Sequence, residues 1–245
     1  MKYSSIVLAN FLKRENRFIA TCRLQTTQEI VTVHVKNTGR CKEILIPGTL
    51  VALNYQPSPK RKTAYDLVAA KKADFWINID SQLPNQLVHN GLKTGIINLS
   101  GLTGKLTEIK PEQTFQQSKF DFYIKTDQGE QAFIEVKGMT LENQQIGAFP
   151  DAPTLRGLKH VNELRQALTV GYRSYVIFVV QFAEIKEATI HKKMQPALVQ
   201  AIELGQAEGL TVLAYNCQVT AETVELIGQV DFNLQADFID PNQEV

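Results

Sequence analysis

The sequence predicts an α/β (α+β) protein in two parts, an N-terminal β-barrel followed by a mixed-sheet α/β domain. Three observations carry this. Up to about residue 80, short runs rich in β-branched and aromatic residues (FIATCRL, EIVTVHV, TLVALNY, TAYDLVAA) are separated by the turn signals TTQ, NTGRC, IPG and PSPKRK. From Pro153 onward, helical periodicity alternates with nearly continuous apolar runs. Between them, FDFYIKTDQGEQAFIEVKG (Phe120–Gly138) reads as a two-stranded hairpin.

Four or five short strands in the first 80 residues point to a small barrel, for which the OB-like type is the natural candidate. LPNQLVHNGL then reads as a helix with Pro84 near its start, and a polar stretch from Thr103 to Lys119 leads into the hairpin. TLRGLKHVNELRQALTVG places Leu155, Leu158, Val161, Leu164 and Leu168 near helical spacing, with Gly171 as its stop. SYVIFVVQF reads as a strand buried on both faces, QPALVQAIELGQAEG as a second helix and TVLAYNCQV as a second strand. The domain boundary is expected near residue 80, giving 1–80 and 81–245.

Length and composition fit this reading. The 245 residues are 44% hydrophobic and 21% charged, ordinary for a globular protein that buries a substantial core. No apolar run approaches a membrane span, and the N-terminus lacks a signal-peptide cleavage pattern, so a cytoplasmic protein that does not use a membrane is expected. Three scattered cysteines argue against a disulfide framework and a zinc cluster. The net charge of +1 conceals an asymmetry. Residues 1–80 carry thirteen Lys/Arg against six Asp/Glu, whereas no Lys or Arg follows Lys193 and eight Asp/Glu do. Nucleic acid is the usual partner of such a basic segment, and a solvated basic surface is the alternative.

The hairpin carries the chemistry. Strand parity puts Phe120, Phe122 and Ile124 on one face of the first strand, and Phe133, Glu135 and Lys137 together on one face of the second. With Asp127-Gln128-Gly129 as a three-residue loop, Phe122 meets Ile134, Phe120 meets Val136 and Asp121 meets Glu135. Directly opposed side chains lie roughly 5 Å apart at Cβ, and two carboxylates there repel unless a cation or proton sits between them. Mg²⁺ or Mn²⁺ fits that need, and Lys137 beside it suits a phosphate oxygen or an attacking water. Asp121, Glu135 and Lys137 are therefore the candidate catalytic residues, with Asp121 and Glu135 as metal ligands; a solvated hairpin edge is the bland alternative.

The following helix adds a basic start. Thr154 or Asp151 is positioned to cap it, and Arg156, Lys159, His160 and Glu163 fall on its first turns, suiting a phosphodiester backbone. Gln181 ends the buried strand, where α/β sites often sit, although a satisfied buried polar group explains it equally well. Lys36, Asn37, Arg40, Lys60, Arg61 and Lys62 are the expected DNA-binding residues, with Tyr55 and Tyr65 as stacking candidates or core residues.

HVKNTGRC, PKRKTAYDL, LPNQLV, SKFDF, FIEVKGMTL, FPDAPTLRGLKHVNEL and FVVQ resemble, in order, the motifs of the sugar fermentation stimulation protein A (SfsA) family. The resemblance implies an N-terminal OB-like domain and a C-terminal domain similar to PD-(D/E)xK restriction endonucleases. It also implies non-specific DNA binding and a loosely defined regulatory role in sugar metabolism. Its nuclease-like motif falls on Asp121, Glu135 and Lys137. Two departures stand out: His89 and Asn90 occupy a segment that often carries acidic residues in the family, and Arg40-Cys41 replaces Ser-Met after NTG. If a first-helix carboxylate assists a metal, it is missing here, or Glu108 or Glu112 replaces it. The expected function is largely sequence-non-specific binding of double- or single-stranded DNA, with a phosphodiesterase site dependent on Mg²⁺ or Mn²⁺. The alternative is a non-catalytic regulator of sugar-metabolism genes on a nuclease-derived fold. Homo-oligomerisation is left open.

Overall fold

The computed structural model describes residues 1–242. The N-terminal part is built from β1 (Ile6–Arg14), β2 (Ile19–Leu24), β3 (Ile30–Val35), β4 (Leu50–Tyr55), β5 (Tyr65–Lys72) and β6 (Phe75–Asn78). They follow the order β3-β2-β1-β4-β5-β6, and an additional parallel pairing of β3 with β5, through Val33–Tyr65 and Val35–Leu67, closes a five-stranded barrel. Ala9, Ala20, Val33, Val35, Leu53 and Leu67 fill its interior with no exposed surface. Closure removes the sheet edges that a short open meander leaves unpaired.

The remainder comprises α1 (Leu83–Thr94), β7 (Leu106–Phe115), β8 (Ser118–Thr126), β9 (Gln131–Met139), β10 (Leu141–Asn143), β11 (Ile146–Phe149), α2 (Leu155–Thr169), β12 (Arg173–Val180), β13 (Glu187–Ile190), α3 (Pro196–Glu208), β14 (Thr211–Val219) and β15 (Val224–Phe232). Nine strands form one mixed sheet, ordered β10-β11-β13-β15-β14-β12-β9-β8-β7. The central strand β12 alternates between two cores. Tyr175, Ile177 and Val179 pack with Leu83, Leu87 and Val88 of α1. Val176, Phe178 and Val180 face the cluster that holds Val161 and Leu164 of α2 and Leu198 and Ile202 of α3. Burial on both faces explains why SYVIFVVQF shows no polar alternation.

The helices end where their sequences direct. Pro84 and Pro196 occupy the first turns of α1 and α3, and Gly95 and Gly209 adopt left-handed φ values of 77° and 108° at their C-termini. Thr154 caps α2 by accepting from the Gly157 amide at 3.0 Å. Asp151 takes no part in that cap. Its Oδ2 accepts from the Cys41 amide at 2.7 Å, tying the segment before α2 to the barrel loop after β3.

Other contacts join barrel and sheet. Lys72 Nζ meets Glu142 Oε2 at 2.5 Å. Gln181, only 1% exposed, donates to Asn78 Oδ1 at 2.8 Å and Asp80 O at 3.2 Å. Its backbone bonds both Met139 O and the Asn78 amide at 2.9 Å. Glu43, partly buried beside Asp151, has an Oε1 with no hydrogen-bond partner among the described residues. Burial, reinforced by the Asp151 charge, pushes the Glu43 carboxyl up to about 7.

Candidate active site at the β8–β9 hairpin

The hairpin forms in the expected register: Phe122 pairs with Ile134, Tyr123 with Phe133 and Ile124 with Ala132. Gly129 adopts the left-handed φ of 83° that this loop requires. The antiparallel ladder then stops. Asp121 Oδ2 takes the Val136 amide at 2.7 Å, so a side chain replaces the strand-to-strand bond at the point where β8 and β9 part. On the other flank Pro111 pairs with Phe122 and Gln113 with Phe120, which sets Glu112 across from Asp121, at a φ of 53°.

This break corrects three expectations: the ladder ends at Phe122–Ile134, so Phe120 does not pair with Val136 nor Asp121 with Glu135, and the shared face fails as well. Phe120 does not share a face with Phe122 and Ile124. It packs with Phe133 at 5.3 Å and edge-on to His160 at 5.9 Å, on the α2 side. Phe122 and Ile124 belong to the core under α1. Strict two-residue parity holds only while the ladder is regular, and the irregular Asp121–Glu112 position breaks it.

On the α2 side, Glu135 and Lys137 share a face of β9, as parity requires. Glu135 is 2% exposed. Its Oε1 accepts from Lys137 Nζ and lies 2.5 Å from His160 Nδ1. Its Oε2 has no partner among the described residues. Burial pushes the Glu135 carboxyl upward, but the His160 hydrogen bond and the Lys137 charge outweigh it and hold the carboxyl below its ordinary value. Asp121 is displaced the other way. Burial and the Glu135 charge raise it, against the opposing pull of the Val136 amide, Asn85 and Lys137.

A buried carboxylate with an orphaned oxygen, beside a half-buried one whose ionisation its charge opposes, forms a donor set that fits a divalent cation. Asp121 and Glu135 would hold it. No cluster of three or more His, Cys, Asp or Glu suited to a metal occurs among the described residues. The first helix supplies an amide: Asn85 Nδ2 donates to Asp121 Oδ1 at 2.7 Å. Asn85 escaped the sequence reading because its contact spans 36 residues and leaves no spacing pattern. His89 lies 5.7 Å from the Phe122 ring, against the α1 core. Glu108 pairs with Lys110 at 2.6 Å and Glu112 with Lys119 at 2.8 Å.

The other sequence-predicted residues divide into three groups. Thr154, Arg156, Lys159 and His160 stand at or in the first turns of α2, and of these His160 reaches Glu135 directly. Asp151 and Gln181 serve the junction between barrel and sheet. Among the barrel residues, Lys36 pairs with Asp80 at 2.8 Å, and Arg61 grips Asp66 with both terminal nitrogens. Asn37 braces its own loop by accepting from the Gly39 amide at 2.6 Å and donating to Ile79 O at 3.0 Å. Arg40, Lys60 and Lys62 are exposed. Tyr55, 42% exposed, lies 5.1 Å from Tyr65 beside the Pro57–Thr63 loop. A cleft of about 310 Å³ between barrel and sheet is lined by Arg17, Thr38, Ser81, Gly138, Asp151 and Thr154, among others.

A family model described as the sugar fermentation stimulation protein RE domain matches residues 82–223, and one described as the SfsA N-terminal OB domain matches residues 12–79. A sugar fermentation stimulation protein homolog of Enterococcus mundtii is 53% identical over 242 residues, covering 99% of this chain and 100% of that one. Another from Desulfitobacterium hafniense (strain DSM 10664 / DCB-2) is 43% identical over 225 residues, covering 92% and 95%. The solved structure of Pyrococcus furiosus SfsA in complex with Ca²⁺ has the same fold, with a TM-score of 0.82 at 24% identity, covering 96% of this chain and 98% of that one. No helix among the described residues is long and apolar enough to cross a membrane.

Proposed function

The chain belongs to the sugar fermentation stimulation protein A family, and from that premise we propose that it is a DNA-binding protein with a divalent-metal phosphodiesterase site at Asp121, Glu135 and Lys137. The observation that carries this reading is Glu135: a buried carboxylate with one oxygen held by Lys137 and His160 and the other without a partner. Asp121 and Glu135 would hold a Mg²⁺ or Mn²⁺ ion, which would supply Lewis acidity at the phosphodiester. The chain's own residues do the positioning. His160 fixes the Glu135 carboxylate from above the sheet. Asn85 and the Val136 amide hold Asp121 in a single orientation. Lys137, the one cation on the site's own strand face, places an ammonium where a phosphate oxygen or the attacking water is held.

Residues 1–80 form the DNA-binding unit in this proposal and 81–245 the nuclease-like unit. Phosphate contacts fall to Arg40, Lys60 and Lys62, which are exposed, while Lys36 and Arg61 already have carboxylate partners. Their role is to shape the loops that present the others. These contacts are to phosphates, so binding in this reading is largely independent of sequence. The three cysteines are free and buried, which suits a reducing cytoplasm.

The second reading, a non-catalytic regulator of sugar-metabolism genes, draws support from Asn85. The first-helix residue at Asp121 is a neutral amide. One experiment separates the two. Purified protein is incubated with linear, circular and single-stranded DNA and with RNA in Mg²⁺ or Mn²⁺, beside Asp121→Ala and Glu135→Ala. Metal-dependent cleavage lost in both variants supports the enzyme. Cleavage that persists in both removes the site from the reaction. Intact DNA binding without cleavage of any substrate favours the regulator.

A further inference from the structure

A second groove opens on the α2 side of the sheet, about 390 Å³ in volume. Ser118 and Lys119 of β8 line it opposite Arg156, Lys159 and His160 of α2. It shares a wall with the candidate active site, because His160 lines the groove and its Nδ1 bonds Glu135. Three cationic side chains from two elements converge here, and no carboxylate lines the groove.

A second, independent feature points to a ligand. Ser118 is 4% exposed and its hydroxyl has no hydrogen-bond partner among the described residues. A buried hydroxyl without a partner costs free energy, and an anionic oxygen in the groove would supply one. The groove also receives the first turns of the fifteen-residue helix α2, whose dipole favours negative charge. The present partners of the cations are weak competitors. Lys119 pairs with exposed Glu112 at 2.8 Å, Lys159 lies 3.6 Å from Glu163 and 3.2 Å from Gln117 O, and Arg156 Nε lies 3.5 Å from His160 Nε2. Surface pairs of this kind exchange readily for a phosphate. Leu155 stands at the rim, 81% exposed, and offers an apolar surface to a sugar or base edge.

We propose that this groove is a phosphate subsite that holds the nucleic-acid strand next to the bond presented to Asp121, Glu135 and Lys137, with Ser118, Lys119, Arg156 and Lys159 as its contacts. The proposal rests on the DNA-binding reading above. The phosphate is either an internal phosphodiester or a terminal monoester, and the two sources predict different behaviour.

The test is fluorescence-anisotropy binding of labelled single- and double-stranded oligonucleotides in EDTA, so that no strand is cut. Each is prepared with a terminal phosphate or a terminal hydroxyl, and the affinity is followed against salt. The proteins are wild type, Lys119→Ala, Arg156→Ala and, as the charge-retaining control for folding, Arg156→Lys. The expected result is a salt slope shallower by about 1 for each alanine variant, with Arg156→Lys near wild type. An internal phosphodiester gives the same loss with both ends. A terminal monoester gives a wild-type preference for phosphorylated ends that Arg156→Ala abolishes. Wild-type binding with unchanged slopes and end preference in both alanine variants overturns the subsite and leaves the DNA-binding reading intact. Absence of wild-type binding overturns both.

Discussion

Glu43 lies between the barrel and the FPDAPT segment, and replacing it with glutamine has a calculable consequence. Its carboxyl is pushed from an ordinary 4.5 up to about 7, chiefly by burial and then by the Asp151 charge. The folded protein therefore keeps a proton that the unfolded chain releases between these values. The associated stability is fully present below pH 4.5, declines as pH rises through the window and is gone above 7. At ~1.4 kcal/mol per pH unit the loss is about 3 kcal/mol. Glutamine resembles the protonated acid and does not titrate. Glu43→Gln should match wild type near pH 4.5 and exceed it at pH 8 by up to about 3 kcal/mol. For a chain of this size that raises Tm by about 6–12 °C. Paired thermal and urea unfolding at the two pH values measures it. An equal wild-type–variant difference at both pH values, or a variant less stable at pH 8, would refute the reasoning.

Further perturbations probe the site and its support. His160→Ala removes one of the two partners of Glu135 Oε1, Lys137 remaining, and should cost about 1–3 kcal/mol in urea unfolding. Combined with Glu135→Gln, the loss should fall well short of the sum of the single variants; strict additivity would mean that the two residues are not coupled. Gly138→Ala would place a Cβ 2.5 Å from Gln181 Oε1 and 3.1 Å from Pro84 Cγ. A loss of about 1–3 kcal/mol is expected, and an unchanged urea midpoint would show that the junction has slack.

Legibility in the sequence followed the range of the interactions. The hairpin register was readable because Asp127-Gln128-Gly129 fixes it locally. Helix α2 and strand β12 were readable because each has a clear period or an unbroken apolar run. Strand β7 read as a polar stretch because it is an edge strand containing Pro111, with half of its residues exposed and none buried. Strand β1 opens the barrel, yet it is absent from the runs that predicted the barrel, because IVLANFLKR shows little polar alternation and turns basic at its end. The face reversal at Phe120 depends on a side chain, Asp121, replacing a backbone bond, which periodicity does not encode. The neutralisation of Lys36 by Asp80 and the approach of Asn85 to Asp121 join residues 44 and 36 apart in the chain. No local pattern announces such pairs.

The central claim is that Asp121 and Glu135 together hold one divalent cation. Calorimetric titration of Mn²⁺ into the metal-free protein tests it most directly, with Asp121→Ala and Glu135→Ala titrated alongside. One bound ion in wild type, lost or severely weakened in each variant, is the predicted result. Wild type that binds no ion, or variants that bind it as tightly as wild type, would contradict it.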